Sequence, residues 1–187
     1  MKSKSINKLT IGIIVLAIIV IVIIFLLSGK DENVDINRET KNIIDSKWAN
    51  NELKDIRTGQ NFKIKDFFGK PILLETFAVW CPKCLEQQQE IKKLQEELGD
   101  NVFSISLDID PNEDEVKVKE HIEKNRLNWK FAVLPVEITR NLIEEFSNSI
   151  NYAPNSPIIL ICGDGKARQL RNGIKDVNEL KSEINKC

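Results

Sequence analysis

An apolar segment that leads directly into a helix with two cysteines in its first turn constrains this chain more than any other feature. Residues 71–79 are almost continuously apolar, which is typical of a central strand covered on both faces. The next residues after Trp80 are Cys81, Pro82, Lys83 and Cys84. Residues 82–98 then show helical periodicity and end at Gly99, a suitable C-terminal cap. The sequence therefore predicts a strand that delivers two thiols to the N-terminus of a helix.

Two thiols in this position suit reversible dithiol chemistry. Cys81 falls at the helix N-cap, where free N–H groups and the positive end of the helix dipole favour a thiolate, so we expect it to be the attacking sulfur. Cys84 faces the same side one turn later and can resolve a mixed disulfide formed at Cys81. Pro82 suits the first helical position. Lys83 adds a positive charge that favours the thiolate and makes the disulfide more oxidising.

A zinc site is the other common use of a Cys-x-x-Cys sequence. A structural zinc site needs four ligands, and this chain has one His and no second Cys-x-x-Cys. We therefore expect no metal and no cofactor. The formal net charge of −1, with many charges of both signs, also provides no basic surface for nucleic acid.

The N-terminal segment predicts a membrane anchor. Residues 9–27 are apolar apart from Thr10 and Gly12, which is long enough to cross a hydrocarbon core of ~30 Å as a helix. Lysines precede this segment and acidic residues follow it, so the positive-inside rule keeps the N-terminus cytoplasmic. A cleaved signal peptide is the alternative, but the segment is long for one and lacks a small-x-small site. We predict a cytoplasmic N-terminus (1–8), a single-pass transmembrane signal-anchor helix (9–28), a linker (29–46) and an extracytoplasmic domain (47–187).

Strands and helices alternate through this domain. A hairpin is predicted over 55–67. Strands are then predicted at 71–79, 102–109, 131–134, 157–162 and 167–171. Helices are predicted at 82–98, 111–126, 136–146 and 175–186. This order specifies an α/β fold with a central mixed β-sheet flanked by helices.

The stretch from Gly69 through Cys84, with its Gly-Lys-Pro, its apolar strand and its Trp-Cys-x-x-Cys, resembles the thioredoxin superfamily, and within it the membrane-anchored TlpA/ResA-like branch. The resemblance covers residues 50–187 and implies a thioredoxin-like fold. It also implies that Pro157, or less favourably Pro154, is a cis-proline placed against the dithiol, with Ser156 before it. The flanking backbone would pair with substrate as an added strand. Trp80 would shield the dithiol. Alternatively, it would serve only as a packing residue at the end of the strand.

Glu75 lies in the middle of the apolar strand, where a carboxylate is costly unless it has a use. It lies six residues before Cys81 and matches the buried acid of thioredoxin. The resemblance thus implies that Glu75 takes and returns the Cys84 proton, with burial raising its pKa. The alternative is that Glu75 lies on a partly exposed face of the strand and has no such role.

The resemblance implies a protein thiol:disulfide oxidoreductase of the cell membrane that acts on protein disulfides and thiols. As a reductase it would serve exported proteins, for example in cytochrome c maturation, and draw electrons from a transmembrane donor. We expect substrate contacts at Trp80, Pro82, Lys83, Ser156 and Pro157. A disulfide oxidase or isomerase is an alternative, favoured by the Cys-Pro-x-Cys sequence. A copper-binding assembly factor on the same fold, using the thiols and a His, is another.

Three further residues have open assignments. We expect His121 to be a solvated residue on a charged helix, since metal sites need partners. Cys162 and Cys187 could be free thiols or, outside the cytoplasm, a second disulfide.

Overall fold

The computed structural model describes residues 39–187 and, from the preceding segment, only Ile18. The predicted cytoplasmic N-terminus and the predicted transmembrane helix therefore lie outside the described residues, apart from Ile18. Within the described part of the chain, no helix is long and apolar enough to span a bilayer.

The described domain is built on a six-stranded mixed sheet. The strands of the domain are β1 (Lys41–Asn42), β2 (Leu53–Lys54), β3 (Asn61–Phe62), β4 (Ile72–Phe77), β5 (Phe103–Asp108), β6 (Lys130–Val133), β7 (Ile158–Ile161) and β8 (Lys166–Gln169). The large sheet has the order β1-β8-β7-β4-β5-β6, and β2 pairs with β3 as a separate hairpin. Strands β4, β5 and β6 run parallel, whereas β7, β8 and β1 pair antiparallel with their neighbours.

Helices cover both faces of this sheet. They are α1 (Lys47–Asn50), α2 (Pro82–Leu98), α3 (Glu115–Asn125), α4 (Val136–Glu145) and α5 (Val177–Ile184). Short 3-10 helices occur at Ile64–Phe67, Gly99–Asn101, Asn148–Asn151 and Ala153–Asn155. The predicted α/β fold with a central mixed sheet is confirmed.

The central position of strand β4 explains why its sequence is mostly apolar. All six of its residues are buried, because each face of the sheet carries a hydrophobic core. Leu73 and Phe77 belong to the core that also contains Cys81 and Cys84. Side chains alternate between the two faces along a strand, so Glu75 points to the same face as Leu73 and Phe77. The strand thereby directs a carboxyl group toward the dithiol side of the sheet.

The folded domain begins earlier than the sequence predicted. Strand β1 lies inside the predicted linker and pairs with β8, with Lys41 opposite Ala167. Ile43 is fully buried and its N–H donates to the carbonyl of Gly165 at 3.0 Å. A two-residue strand is too short to produce an alternating pattern, so the scattered apolar residues of this segment resembled a linker.

Both edges of the large sheet are restricted. On one side β1 is only two residues long. On the other side the segment before β3 covers β6: the N–H of Ile56 donates to the Phe131 carbonyl at 2.8 Å, and the N–H of Phe131 donates to the Asp55 carboxylate at 3.4 Å. Neither edge presents a long row of unpaired backbone groups.

Cys162 and Cys187 form a disulfide, which decides between the two possibilities left open by the sequence. The bridge joins the residue after β7 to the residue that follows α5 by three positions, with the Cα atoms 5.2 Å apart. Cys81 and Cys84 remain free thiols.

Candidate active site

The dithiol lies where β4 ends and α2 begins. Cys81 is the N-cap of α2, and its sulfur accepts a hydrogen bond from the N–H of Cys84 at 3.2 Å. Pro82 is the first helical residue, where the missing N–H is harmless. The Cys84 thiol donates to the carbonyl of Ala153 at 3.2 Å. The two sulfurs therefore lie on one side of the helix start, as the spacing predicted.

Exposure differs sharply along this short segment. The side chains of Cys81 and Cys84 are buried, at 1% and 0% exposure, whereas Trp80 is 59% exposed. Pro82 and Lys83 are also exposed. The Lys83 ammonium pairs with Glu86 at 3.2 Å on the surface of α2, and this partner offsets the positive charge that the sequence placed beside Cys81.

Glu75 is fully buried behind the dithiol, which confirms the prediction that it lies in the interior. Its Oε2 atom accepts hydrogen bonds from the Ser106 hydroxyl at 2.7 Å and from the Gln88 amide at 3.1 Å, while Oε1 has no hydrogen-bond partner among the described residues. Burial raises the pKa of Glu75 to about 7, against the lowering effect of these hydrogen bonds and of the charge on Lys175. A carboxyl group with this pKa can gain or lose a proton near neutral pH.

The pKa of the Cys84 thiol lies far above its ordinary value. Burial is the main cause, and the negative charge of Glu75 adds to it. Cys84 and Glu75 are thus electrostatically linked: a proton on one favours loss of the proton from the other. This linkage is what a resolving thiol and its proton acceptor require.

Gln88 connects Glu75 to His121. The amide oxygen of Gln88 accepts from His121 Nε2 at 2.7 Å while its amide nitrogen donates to Glu75. His121 is only 6% exposed and stacks on Phe77, with ring centroids 5.7 Å apart. The prediction of a solvated His121 is wrong, because α3 turns this one residue of its charged sequence toward the core. Burial lowers the pKa of His121, which favours the neutral ring.

The Ser156–Pro157 segment lies against the dithiol helix. The Ser156 hydroxyl donates to the Lys83 carbonyl at 3.2 Å, and the Pro157 carbonyl accepts from the N–H of Thr76 at 3.2 Å. The described residues contain no cis peptide bond, so the expected cis bond before Pro157 is absent, as it is before Pro154. Ser156 instead adopts a left-handed conformation with φ 46° and ψ 57°, and this residue makes the turn into β7.

The backbone groups of this segment already have partners inside the domain. The N–H of Ser156 donates to the Ala153 carbonyl at 2.8 Å, and the Ser156 carbonyl accepts from the Lys175 ammonium at 2.5 Å. With the Pro157 carbonyl paired to β4 as well, strand addition by a substrate at this position would require these bonds to open. Substrate binding by Ser156 and Pro157 stays a prediction.

Two acidic side chains support the loop before Cys81. The Glu113 carboxylate accepts from the N–H groups of Val79 and Trp80 at 2.7 and 3.3 Å, and Asp110 accepts from the Trp80 indole N–H at 2.5 Å. Asp108, buried at the end of β5, has its pKa raised to about 8, mainly by burial and further by Glu113. Parallel strands β4 and β5 end at the same edge of the sheet, and this placement explains why acidic residues after β5 reach the dithiol loop.

Lys175 is buried next to this site. Its ammonium group donates to the Ser156 carbonyl and, at 3.3 Å, to the Arg171 carbonyl. Gln87 of α2 holds the Lys175 backbone from both sides, accepting from its N–H at 2.8 Å and donating to its carbonyl at 3.0 Å. The two consecutive glutamines that follow Cys84 by one turn thus contact Lys175 and Glu75 respectively.

Comparison with known proteins identifies the family. A sequence profile of the redoxin family matches residues 45–150, more than half of the chain. The chain belongs to the redoxin family. This redoxin is 24% identical over 158 residues to the thiol-disulfide oxidoreductase ResA of Bacillus cereus, in an alignment that covers 84% of this chain and 82% of that protein. The predicted relationship to TlpA/ResA-like proteins of the thioredoxin superfamily is confirmed.

Solved structures show the same fold. A secreted disulfide oxidoreductase from Mycobacterium tuberculosis, described as homologous to DsbE of Escherichia coli, has a TM-score of 0.61 at 15% identity and covers 75% of this redoxin and 98% of its own chain. The exposed lipoprotein thioredoxin Etrx1 of Streptococcus pneumoniae has a TM-score of 0.59 at 18% identity and covers 73% and 98%. The thioredoxin-like fold of this redoxin is therefore established.

The redoxin site also contains residues that sequence reasoning missed. The sequence pattern does not point to four of them, namely Gln87, Gln88, Glu113 and Lys175. It places a fifth, His121, at the surface. A signal was available for the glutamines, because positions 87 and 88 follow Cys84 by one turn and lie on the helix face toward the core. No sequence signal was available for Lys175, because its burial depends on how the segment between β8 and α5 packs on the rest of the domain. Across the described residues, no three His, Cys, Asp or Glu side chains are grouped to hold a metal ion.

Proposed function

We propose that this redoxin is a membrane-anchored, extracytoplasmic enzyme that uses the Cys81–Cys84 dithiol to reduce disulfides in exported proteins. It is a protein thiol:disulfide oxidoreductase, as its family and its ResA relatives indicate. The observation that carries the proposal is the pair of free thiols at the start of α2 with the buried carboxyl of Glu75 behind them. The electron source would be a transmembrane donor.

The reaction proceeds by two thiol–disulfide exchanges. The Cys81 thiolate attacks one sulfur of a substrate disulfide, forms a mixed disulfide and releases the first substrate thiolate. Cys84 then loses its proton to Glu75 and attacks the Cys81 sulfur, which forms the Cys81–Cys84 disulfide and releases the second substrate thiolate. Two electrons pass from the enzyme to the substrate. The donor restores the dithiol, and Glu75 returns the proton to Cys84.

The surroundings of Cys84 support the reductase direction. A dithiol is strongly oxidising when its reduced form is stabilised, as in DsbA. Here burial and the Glu75 carboxylate both disfavour the Cys84 thiolate, and Glu86 offsets the charge of Lys83. Cys84 therefore stays a thiol at neutral pH, so the reduced form gains no stabilised thiolate at this position, which supports a reduction potential below that of a strong oxidant such as DsbA. These features weigh against the oxidase or isomerase alternative, which the Cys-Pro-Lys-Cys sequence otherwise favours.

The copper-binding alternative has less support. It requires a His beside the thiols, whereas His121 bonds to Gln88 and stacks on Phe77. Nε2 of this ring therefore already has a partner, and the link leads to Glu75 rather than to a sulfur.

The extracytoplasmic location is supported by sequence and by chemistry. The apolar segment 9–27, with lysines before it and acidic residues after it, favours an outward-facing domain. The Cys162–Cys187 disulfide fits an oxidising compartment, since such bonds are rare in reducing ones. Two relatives of the same fold are described as secreted and as an exposed lipoprotein.

The first test is the reduction potential of the full-length chain in detergent, equilibrated with defined thiol buffers. We expect a value near that of thioredoxin, about −270 mV, and a value near −120 mV would instead support an oxidase. The Cys81→Ser variant is the control and should show no such equilibrium.

A trapping experiment tests the substrate class. We expect the Cys84→Ser variant, expressed in the organism that naturally produces the protein, to accumulate mixed disulfides through Cys81. The reason is that the resolving thiol is absent. Adducts are detected as bands that disappear on reduction, and the Cys81→Ser/Cys84→Ser variant should form none. Absence of Cys81-dependent adducts, together with no exchange in thiol buffers, would contradict the proposed enzyme.

A further inference from the structure

A buried ammonium group beside a dithiol calls for a physical explanation. Lys175 is fully buried, and burying a charged amine costs several kcal/mol unless the charge is compensated. Within the described part of the chain it forms no ion pair, since its two hydrogen-bond partners are the carbonyls of Ser156 and Arg171. A hydrophobic residue would fill this position at lower cost, so the charge itself needs a role.

The contacts of Lys175 form a continuous path around the start of α2. Its ammonium group binds the Ser156 carbonyl, and the Ser156 hydroxyl binds the Lys83 carbonyl inside the dithiol turn. Its backbone is fixed to α2 by both ends of the Gln87 amide. Lys175 is therefore held at a defined position between α2 and the turn into β7.

Charged and titratable groups face Lys175 from several elements. Glu75 on β4, Cys84 on α2 and Glu179 on α5 favour its charged form, whereas Arg171, in the segment after β8, opposes it. Burial is the largest influence and lowers the pKa of Lys175 to about 8. The interaction is mutual, because the charge on Lys175 also lowers the pKa of Glu75.

We propose that Lys175 is a positioning residue of this dithiol site: its buried ammonium group holds the Ser156 turn against the dithiol and supplies the positive charge that allows Cys84 to ionise beside Glu75. The proposal rests on the proposed function, in which Cys84 is the resolving thiol. During resolution the Cys84 proton passes to Glu75, so one negative charge stays in the buried site, first on the Glu75 carboxylate and then on the Cys84 thiolate. A fixed cation stabilises this buried negative charge, both on the carboxylate that accepts the proton and on the thiolate that attacks Cys81.

Reaction with dithiobis(nitrobenzoate) separates the two thiol steps. Cys81 attacks the reagent and releases one thionitrobenzoate at a rate that depends on reagent concentration. Cys84 then attacks the Cys81 adduct and releases a second thionitrobenzoate at a rate that does not depend on reagent concentration. The reduced full-length chain is measured from about pH 5 to about pH 9, and release by a Cys81→Ser/Cys84→Ser variant is subtracted.

We expect Lys175→Met to move the pH profile of the second release to higher pH by about one unit and to slow it about tenfold below the midpoint. Lys175→Gln keeps a hydrogen-bond donor for the Ser156 carbonyl but lacks the charge, so it should show the same shift. Lys181→Met, which removes an exposed lysine of α5 that pairs with Glu97, should leave the profile unchanged. The rate of the first release and the circular dichroism spectrum show whether each variant is folded.

The outcomes separate the two proposals. An unshifted profile, a uniform slowing at every pH, or full restoration by Lys175→Gln would overturn the role of the Lys175 charge. Failure of the wild-type chain to show a concentration-independent second release would instead overturn Cys84 as the resolving thiol, and with it the proposed function.

Discussion

Glu75 is the residue at which stability and chemistry conflict most directly. Its carboxyl group is fully buried, and in the described part of the chain one of its oxygens has no hydrogen-bond partner, so the ionised form is costly in the folded protein. Burial raises its pKa from an ordinary value of 4.5 to about 7. Between these values the folded protein keeps a proton that the unfolded chain has lost. The free energy of unfolding contributed by Glu75 therefore falls as pH rises from about 4.5 to about 7.

We expect Glu75→Gln to remove this pH dependence. Above pH 7 the variant should be more stable than the wild type by roughly 3 kcal/mol, and the two should converge near pH 4.5. Urea unfolding of the oxidised protein at several pH values measures the difference. Glu137→Gln, at an exposed position, should follow the wild type. A constant difference at all pH values would show that Glu75 keeps its ordinary pKa.

The same substitution should slow the resolving step. Gln cannot accept the Cys84 proton, so Glu75→Gln should reduce the rate of mixed-disulfide resolution at neutral pH by about a hundredfold, within the range typical of a lost general base. The second thionitrobenzoate release reports this rate. The first release, which depends on Cys81 attack, should change much less. Equal slowing of both steps would indicate a general disturbance of the site.

At the scale of single residues, what could be predicted from the sequence depended on local spacing. Cys81, Cys84 and Glu75 lie on one strand and the helix that follows it, so their relation is fixed by two adjacent elements. Gln88 and His121 meet across α2 and α3, and a helical pattern of charged residues gave no reason to turn His121 inward. The trans bond before Pro157 accompanies the left-handed Ser156, whose conformation depends on contacts with Lys83 and Lys175.

The last three elements, β7, β8 and α5, are joined as a unit by the Cys162–Cys187 disulfide. The bridge closes a segment with a sequence separation of 25 residues. Beside it, Arg168 of β8 donates to the carbonyl and to the carboxylate of Glu183 in α5, at 2.9 and 3.1 Å. Covalent and polar contacts together hold α5 on the sheet, and the segment that carries Lys175 leads directly into this helix.

We expect the Cys162→Ser/Cys187→Ser variant to lose about 3 kcal/mol of unfolding free energy, because the open chain gains entropy when it unfolds. Urea unfolding with the Cys81–Cys84 pair kept oxidised measures the loss. The reduction potential of that pair should remain unchanged. An unchanged midpoint of unfolding would mean that the polar contacts alone hold α5.

Among the elements, the long helices and the buried strands were predicted closely, whereas the shortest strand was not. Helix α2 occupies the predicted residues 82–98, because its apolar spacing, its proline and its terminal Gly99 all agree. Strand β1 consists of two residues whose conformation depends on β8, more than a hundred residues later in the chain. Such a strand has no signal of its own, and only the completed sheet defines it.

For the whole molecule, the proposed topology places the domain outside the membrane. We expect the protein to stay with membranes after an alkaline wash, because the segment 9–28 would be inserted as a helix. Protease added to intact cells stripped of their wall should degrade the domain. A variant lacking residues 1–28 should remain in the cytoplasm and be protected. Protection of the full-length domain in intact cells, with degradation only after lysis, would contradict the outward orientation.

The restricted edges of the large sheet have a consequence for molecules confined to one surface. An anchored protein meets its own copies at a high local concentration, and an open strand edge would let neighbouring sheets join into polymers. Here one outer strand is only two residues long and the other is bonded to the segment around Ile56. If the protein is anchored as proposed, these edges would let crowded copies lie side by side without edge-to-edge aggregation.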